Sequence, residues 1–397
     1  MADTSKHIWN DNDGEPTAAP KPKRNGLRRA LLLLSVLLAV FGIVVVAAYR
    51  DGTGFDVLRR YLHYGTMETA AGEVRYRYDA DSANRFAVLG DKLVVLSGTS
   101  LQVLSSDGQE VWQTNVTMAA PALVQGGGMA AAYDVGGTVL YVLDEEGEVK
   151  TLTAAEGEPF LAATLNDQGM LAVTTEKQGH KGSVQVYNRQ MELVFAFHSS
   201  RRFLMDAYVT DDNTCLAAVT MGQEDGVFVS NVVIYDLTKT DPVASYSVPD
   251  GLLVSVGGES DAIFTLTDTG LTAADSDGTV LGTYDFDGGY LRDYDLAGDG
   301  FAALLVNRYK SGSVGALVTV NSQGEELGRV QIEEEVLDIS ACGRYLAVLC
   351  GDTLTIYNQE MQTYAVLHGT DTAREVLVRE DGSALLLSAE KAELFLP

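Results

Sequence analysis

The chain has 397 residues, 46% of them hydrophobic, and 28 Lys/Arg against 55 Asp/Glu for a formal net charge of −27. This supplies a large core within a length that one propeller or barrel can fill as a single unit. So acidic a chain argues against nucleic acid as a partner, because phosphate binding needs clustered Lys and Arg. The first 49 residues are net basic, and the remainder carries the whole acid excess.

Residues 1–26 are polar, contain Pro16, Pro20 and Pro22, and read as a disordered cytoplasmic tail. Residues 27–49 hold an uncharged run from Ala30 to Ala48, long enough as a helix to cross a hydrocarbon core of about 30 Å. Lys21, Lys23, Arg24, Arg28 and Arg29 precede it. The positive-inside rule then predicts a single-pass cell-membrane protein with its N-terminus cytoplasmic and everything after Tyr49 extracytoplasmic. A cleaved signal peptide competes, since Val46, Ala47 and Ala48 are small enough for a cleavage site. Signal-peptide cores run to about 7–15 residues, however, so the uncleaved anchor is preferred. Residues 50–71 form a stalk in which Phe55, Leu58 and Leu62 recur at helical spacing. Two readings stand: a helix on the outer leaflet, or one packed under the following domain.

From residue 72 to 397 one phrase recurs about every 41 residues. It is an apolar strand, a turn of Gly, Asp or Asn, and a second strand, as in Leu101–Val111, Leu271–Leu281 and Leu317–Leu327. Alternating strands at that period predict an all-β fold, a β-propeller. Innermost strands are expected to begin near Arg85, Pro121, Phe160, Arg202, Leu252, Leu291, Val336 and Arg374. The second strand of each repeat is rich in apolar and small residues, as a strand buried on both faces should be. The eighth repeat ends after three strands, while a spare strand, Glu73 to Tyr78, precedes the first. Ring closure through that strand leaves no open edge. Eight blades are preferred over seven.

The phrase Ser105-Ser-Asp-Gly-Gln-Glu-Val-Trp112 resembles the repeat of eight-bladed quinoprotein (PQQ-like) propellers, though only this repeat keeps the Trp. In outline, the basic tail, the single anchor, the Phe-Asp-x-x-Arg-Arg-Tyr stalk and the degenerate WD40/PQQ-like repeats are similar to a family of single-pass membrane propellers of unknown function from Gram-positive bacteria. That resemblance implies the fold and no activity.

Chemistry is sparse. Metalloprotease, nucleophile-elbow and phosphate-loop motifs do not occur. Gly126-Gly-Gly128 reads as a hairpin turn. Asp275-Ser-Asp277-Gly278 and Asp285-Phe-Asp287-Gly288 lack calcium-loop spacing and read as turns. Cys342 and Cys350 flank a strand that would hold them roughly 20 Å apart, so they and Cys215 are expected to be buried, unpaired thiols. No metal or cofactor is expected.

Two patterns remain. Asp206, Asp293 and Asp338 occupy equivalent inner-strand positions and could line a central channel as mutually repelling acids; hydrogen bonding to backbone is the plainer account. Lys177, His180, Lys181, Arg201, Arg202, Arg308 and Lys310 fall in loops that a propeller places on one face. The leading expectation is a non-catalytic module binding a protein or an anionic cell-surface polymer through that rim. The alternative is an extracytoplasmic enzyme, hydrolase- or quinoprotein-like, using the channel carboxylates.

Overall fold

A computed structural model describes residues 25–50, 56–65, 73–224, 226–248, 251–259 and 262–397. It divides into two units, residues 1–55 and 56–397. The expected tail, residues 1–26, lies almost wholly outside the described residues. The first unit contributes helix α1, Asn25–Arg50, whose described side chains run from Leu31 to Val44 and are all exposed. Among the described residues no helix is long and apolar enough to cross a membrane. The expected span is therefore not established by them, and the side chains at both ends of the apolar run lie outside them.

The second unit is an eight-bladed β-propeller. Seven blades are consecutive four-stranded antiparallel meanders at 85–115, 121–153, 160–199, 203–247, 253–285, 290–332 and 336–368. The eighth takes its inner three strands from 375–395 and its outermost from Glu73–Arg77, which pairs antiparallel with Lys391–Phe395. This is the expected closure, and inner strands begin within one residue of the expected positions. Closure is also a packing event. Tyr76 and Tyr78 are buried with Leu93, Val95, Leu385 and Leu394, a core joining blades 8 and 1.

The remaining core lies between blades. Ala131 and Val142 of blade 2 pack on Phe160, Leu171 and Val173 of blade 3, and Leu305 and Leu317 of blade 6 on Ile339, Leu346 and Val348 of blade 7. Second strands such as Met129–Asp134 and Ala262–Thr267 are buried almost throughout, which explains their Ala, Leu and Val content. Each fully buried Leu contributes about 1.5–3 kcal/mol.

Helix α2, Asp56–Tyr64, belongs to the propeller unit and sits on it. Asp56, Arg60 and Tyr64, one turn apart, face the protein. Arg60 is 1% exposed. Its guanidinium donates to the Asp381 carbonyl at 2.7 Å, the Pro397 carbonyl oxygen at 2.7 Å and the Tyr364 hydroxyl at 3.1 Å. Asp56 accepts from the Tyr345 hydroxyl and pairs with Arg344. The helix packs on the propeller through these polar side chains. Of the expected apolar stripe, Leu62 is 76% exposed, and Phe55 and the Leu58 side chain lie outside the described residues. Long polar side chains bury their stems while their ends meet backbone carbonyls, a pattern that hydrophobic spacing does not reveal.

Candidate functional site

Antiparallel meanders give the propeller two faces. Loops joining second to third strands, and connections between blades, lie on one, here called the upper face. The other loops lie on the lower face, where Arg344, Asp381 and α2 meet.

Every expected basic residue occupies an upper-face loop or connection, but not all are available to a ligand. Lys177 is held by Glu158 at 2.8 Å. Arg202 is half-buried and braces a hairpin, its Nε donating to Thr220 Oγ1 at 3.0 Å and its Nη2 to the Val229 carbonyl at 2.6 Å. A Cβ on Gly222 would meet that guanidinium at 2.9 Å, so a larger residue there would displace the Arg202 side chain from its place. Arg202 thus has a structural part in the hairpin beside its expected place on the rim. Lys181, Arg201, Arg308 and Lys310 are exposed. The Lys181 ammonium lies 4.5 Å from the Phe203 ring centre, and the Arg308 guanidinium 5.5 Å from that of Tyr309. His180 packs on His198 at 5.2 Å between ring centres.

The rim also carries an apolar component that the sequence reading missed. Blade 4 has an unusually long hairpin, Cys215–Glu224 with Val227–Asp236, and its paired ends overhang the start of the inner strand by roughly 10 Å. Its tip presents Val227 and Phe228, the latter 66% exposed. On the same face Phe203, Leu252 (70% exposed), Tyr290, Tyr309 and Val314 project from blades 4, 5 and 6. Arg292 joins Asn307, Lys310, Ser313 and Glu335 around a cavity of about 360 Å³ at the edge of blade 6. The arc ends at the exposed acids Glu333, Glu334 and Glu335. A signal for the missed part existed: the apolar run Val227-Phe228-Val229 between Glu224-Asp225-Gly226 and Ser230-Asn231.

The three expected carboxylates share one local geometry. A β-bulge precedes each, with register shifts between Leu204 and Asp206, Leu291 and Asp293, and Val336 and Asp338. Inner strands have one edge without a strand partner, so their N–H groups must be satisfied otherwise. Asp338 Oδ2 accepts from Val376 N of the next blade at 2.7 Å, and Asp295 Oδ2 from Ala341 N at 2.7 Å. Gln125 does the same for Val88 N at 2.7 Å. Asp206 and Asp293 each accept from the following residue's N–H, at 2.8 and 2.9 Å. Burial pushes Asp206 up to about 7 and Asp295 up to about 6. Burial, reinforced by neighbouring acids, pushes Asp338 up to about 8. Asp295 belongs to this group and escaped the sequence reading, although it lies two residues from Asp293 in unbroken register and alternation from Asp293 points to it.

The minor motifs resolve as expected. Asp275 Oδ1 accepts from Thr279 N at 2.8 Å and Asp285 Oδ1 from Asp287 N at 2.6 Å, both turn bonds. Gly127 and Gly128 adopt φ of 58° and 72° in a hairpin turn. The cysteines are unpaired, although half-buried rather than buried. Among the described residues no cluster of His, Cys, Asp and Glu could hold a metal.

Closed ring and stitched channel define the class: an eight-bladed β-propeller, one face of which carries exposed apolar and basic side chains among its acids. The chain belongs to a family of unknown function (DUF5711), which matches residues 63–387. No curated protein matches its sequence. Among solved structures it is similar to BamB from Moraxella catarrhalis, with 14% identity, a TM-score of 0.53, and 82% of this chain and 100% of that one covered. It is similar also to the C-terminal WD40 domain of Sif2, at 11% identity and TM-score 0.58 over 83% and 99% of the two chains. A third is the quinohemoprotein alcohol dehydrogenase ADHIIG from Pseudomonas putida HK5, at 8% and 0.50 over 82% and 75%. At these identities the likeness is one of fold.

Proposed function

We propose that this protein is a membrane-tethered, extracytoplasmic binding propeller of Gram-positive bacteria, without catalytic activity, that captures an acidic protein partner on its upper face. The observation that carries the reading is the convergence of Phe203, Phe228, Leu252, Tyr290 and Tyr309 with Lys181, Arg201, Arg292, Arg308 and Lys310 on that one face. Exposed large apolar residues gathered in one region mark interaction sites, and aromatic residues with Arg are the types enriched at protein interfaces. Basic side chains on so acidic a molecule select a partner of opposite charge and speed its approach.

Tethering is supported by the uncharged run from Ala30 to Ala48 behind five basic residues. Helix α2 packs on the lower face, opposite the loops that carry the rim. An anionic cell-surface polymer would be drawn by the charges alone and would gain little from Phe228 or Leu252. The channel acids favour a structural role over catalysis, since Asp338 and Asp295 are engaged with backbone N–H groups of the next blade. The test is co-purification from native membranes with wild type, Phe228→Asp and the Lys181→Glu/Arg201→Glu pair. Loss of the same protein from both variants supports the reading. Retention of purified wall polymer by Phe228→Asp, with no co-purified protein in wild type, would assign the face to the polymer instead.

A further inference from the structure

The lower face holds a second feature, separate from the rim. Where α2 meets blades 8 and 1, a cavity of about 120 Å³ is lined by His63, Tyr64, Arg75, Tyr76, Ser106 and Arg379. Arg379 follows the inner strand of blade 8, and its Nη1 donates to the Tyr64 hydroxyl at 2.6 Å. Its Nε and Nη2 are buried and no hydrogen bond of good geometry closes on them, although the Tyr76 hydroxyl lies beside the same guanidinium; Nε of Arg75 is likewise unpartnered. Arg75 pairs with Glu73 at 3.2 Å, whereas no carboxylate among the described residues lies within ion-pairing distance of Arg379. Asp91 also borders the cavity, where its backbone carbonyl accepts from the Tyr76 hydroxyl at 2.5 Å.

A guanidinium stays protonated at every accessible pH. A buried charge facing only phenols and carbonyls is strongly disfavoured unless an anion completes it. The open donors belong to two guanidiniums, with an imidazole and a hydroxyl on the same small cavity. Several donors around a space of this size match an oxyanion with acceptors on more than one side, and guanidinium–phosphate pairing is the strong form of that contact.

We infer that this cavity is a binding site for a phosphate group, held between Arg379 and Arg75 with His63 and Ser106 at its edge. The phosphate could come from the free ion or from a lipid headgroup, and the chemistry of recognition is the same. The site lies on the face opposite the rim, so the two can fail separately.

The experiment is titration of the purified full-length chain with inorganic phosphate and, separately, with the soluble diester glycerophosphoglycerol, followed by calorimetry and thermal unfolding at constant ionic strength. Saturable binding is expected, with a rise in melting temperature that equimolar chloride does not produce. Arg379→Gln is expected to weaken binding at least tenfold, and Arg379→Lys by less. His63→Gln and Arg75→Gln, nearer the edge of the cavity, test the site should Arg379→Gln fail to fold. Tighter binding of the diester assigns the site to a headgroup, and tighter binding of the ion to free phosphate. Absence of binding in wild type, or affinity unchanged in both Arg75→Gln and Arg379→Gln, would overturn the inference.

Discussion

Arg60 and Asp381 are joined at 2.7 Å across 321 residues of sequence, guanidinium to backbone carbonyl, and the bond clamps α2 to blade 8. Two further acceptors, on Tyr364 and Pro397, share the same guanidinium. Hydrogen bonds to charged groups are worth about 1.5–3 kcal/mol each, and losing one partner leaves buried acceptors unsatisfied. Arg60→Ala is therefore expected to lower stability by about 2–4 kcal/mol in urea unfolding. An unchanged midpoint would show that α2 is not an integral part of the propeller.

Ring closure rests on Tyr76 in the same direct way. The side chain is fully buried between blades 8 and 1, on the one strand that comes from the far end of the sequence. Large-to-small substitution of a buried aromatic costs about 3–5 kcal/mol. Tyr76→Ala is expected to lose that amount and to expose the Lys391–Phe395 edge to proteolysis before the rest of the ring. Uniform protease resistance would contradict closure by this strand.

The channel acids make stability depend on pH with a definite sign. Asp206, Asp295 and Asp338 titrate at about 7, 6 and 8 in the folded protein, against about 3.9 for an unperturbed Asp. The folded chain therefore keeps protons that the unfolded chain releases. The stabilisation is complete below about pH 4, is lost progressively as pH rises above that, and is gone once pH has passed the folded values, at about 8. Asp206→Asn removes one of these groups without removing its acceptor oxygen. The variant is expected to match wild type near pH 4 and to exceed its stability by about 1 kcal/mol or more at pH 8.5. Parallel pH profiles would refute this account of the channel.

Neighbouring arginines on the rim should behave differently. Arg201 is exposed, whereas Arg202 braces the long hairpin through Thr220 and Val229. Arg201→Glu is expected to change stability by less than about 0.5 kcal/mol, as surface substitutions do. Arg202→Glu should cost about 2 kcal/mol or more through the lost bonds to the hairpin. Thermal unfolding of the two variants side by side decides it, and equal effects would mean that Arg202 is no brace.

Much of this architecture was legible in the residues. Period and strand pattern located the inner strands to within one position, and the unpaired strand at Glu73 exposed the closure. These are properties of repeated local sequence. What escaped depended on partners distant in sequence. Arg60 reads as a solvent charge until Asp381 and Pro397 supply its acceptors. Asp295 keeps the alternation of Asp293, and what the sequence does not show is its acceptor role, which depends on Ala341 N of the next blade. The overhang of the blade 4 hairpin, 222–224 with 227–229, takes its strand state from pairing with itself, beyond the start of the inner strand.

The central claim, a partner captured on the upper face, is tested most directly by site-specific photocrosslinking of the full-length chain in its native membrane. The probe replaces Phe228 at the hairpin tip, with Val149 on the outer strand of blade 2 as the control position. The account predicts one discrete protein adduct from position 228, abolished by Lys181→Glu/Arg201→Glu, and none from position 149. No adduct at 228, or the same adducts from both positions, would contradict it.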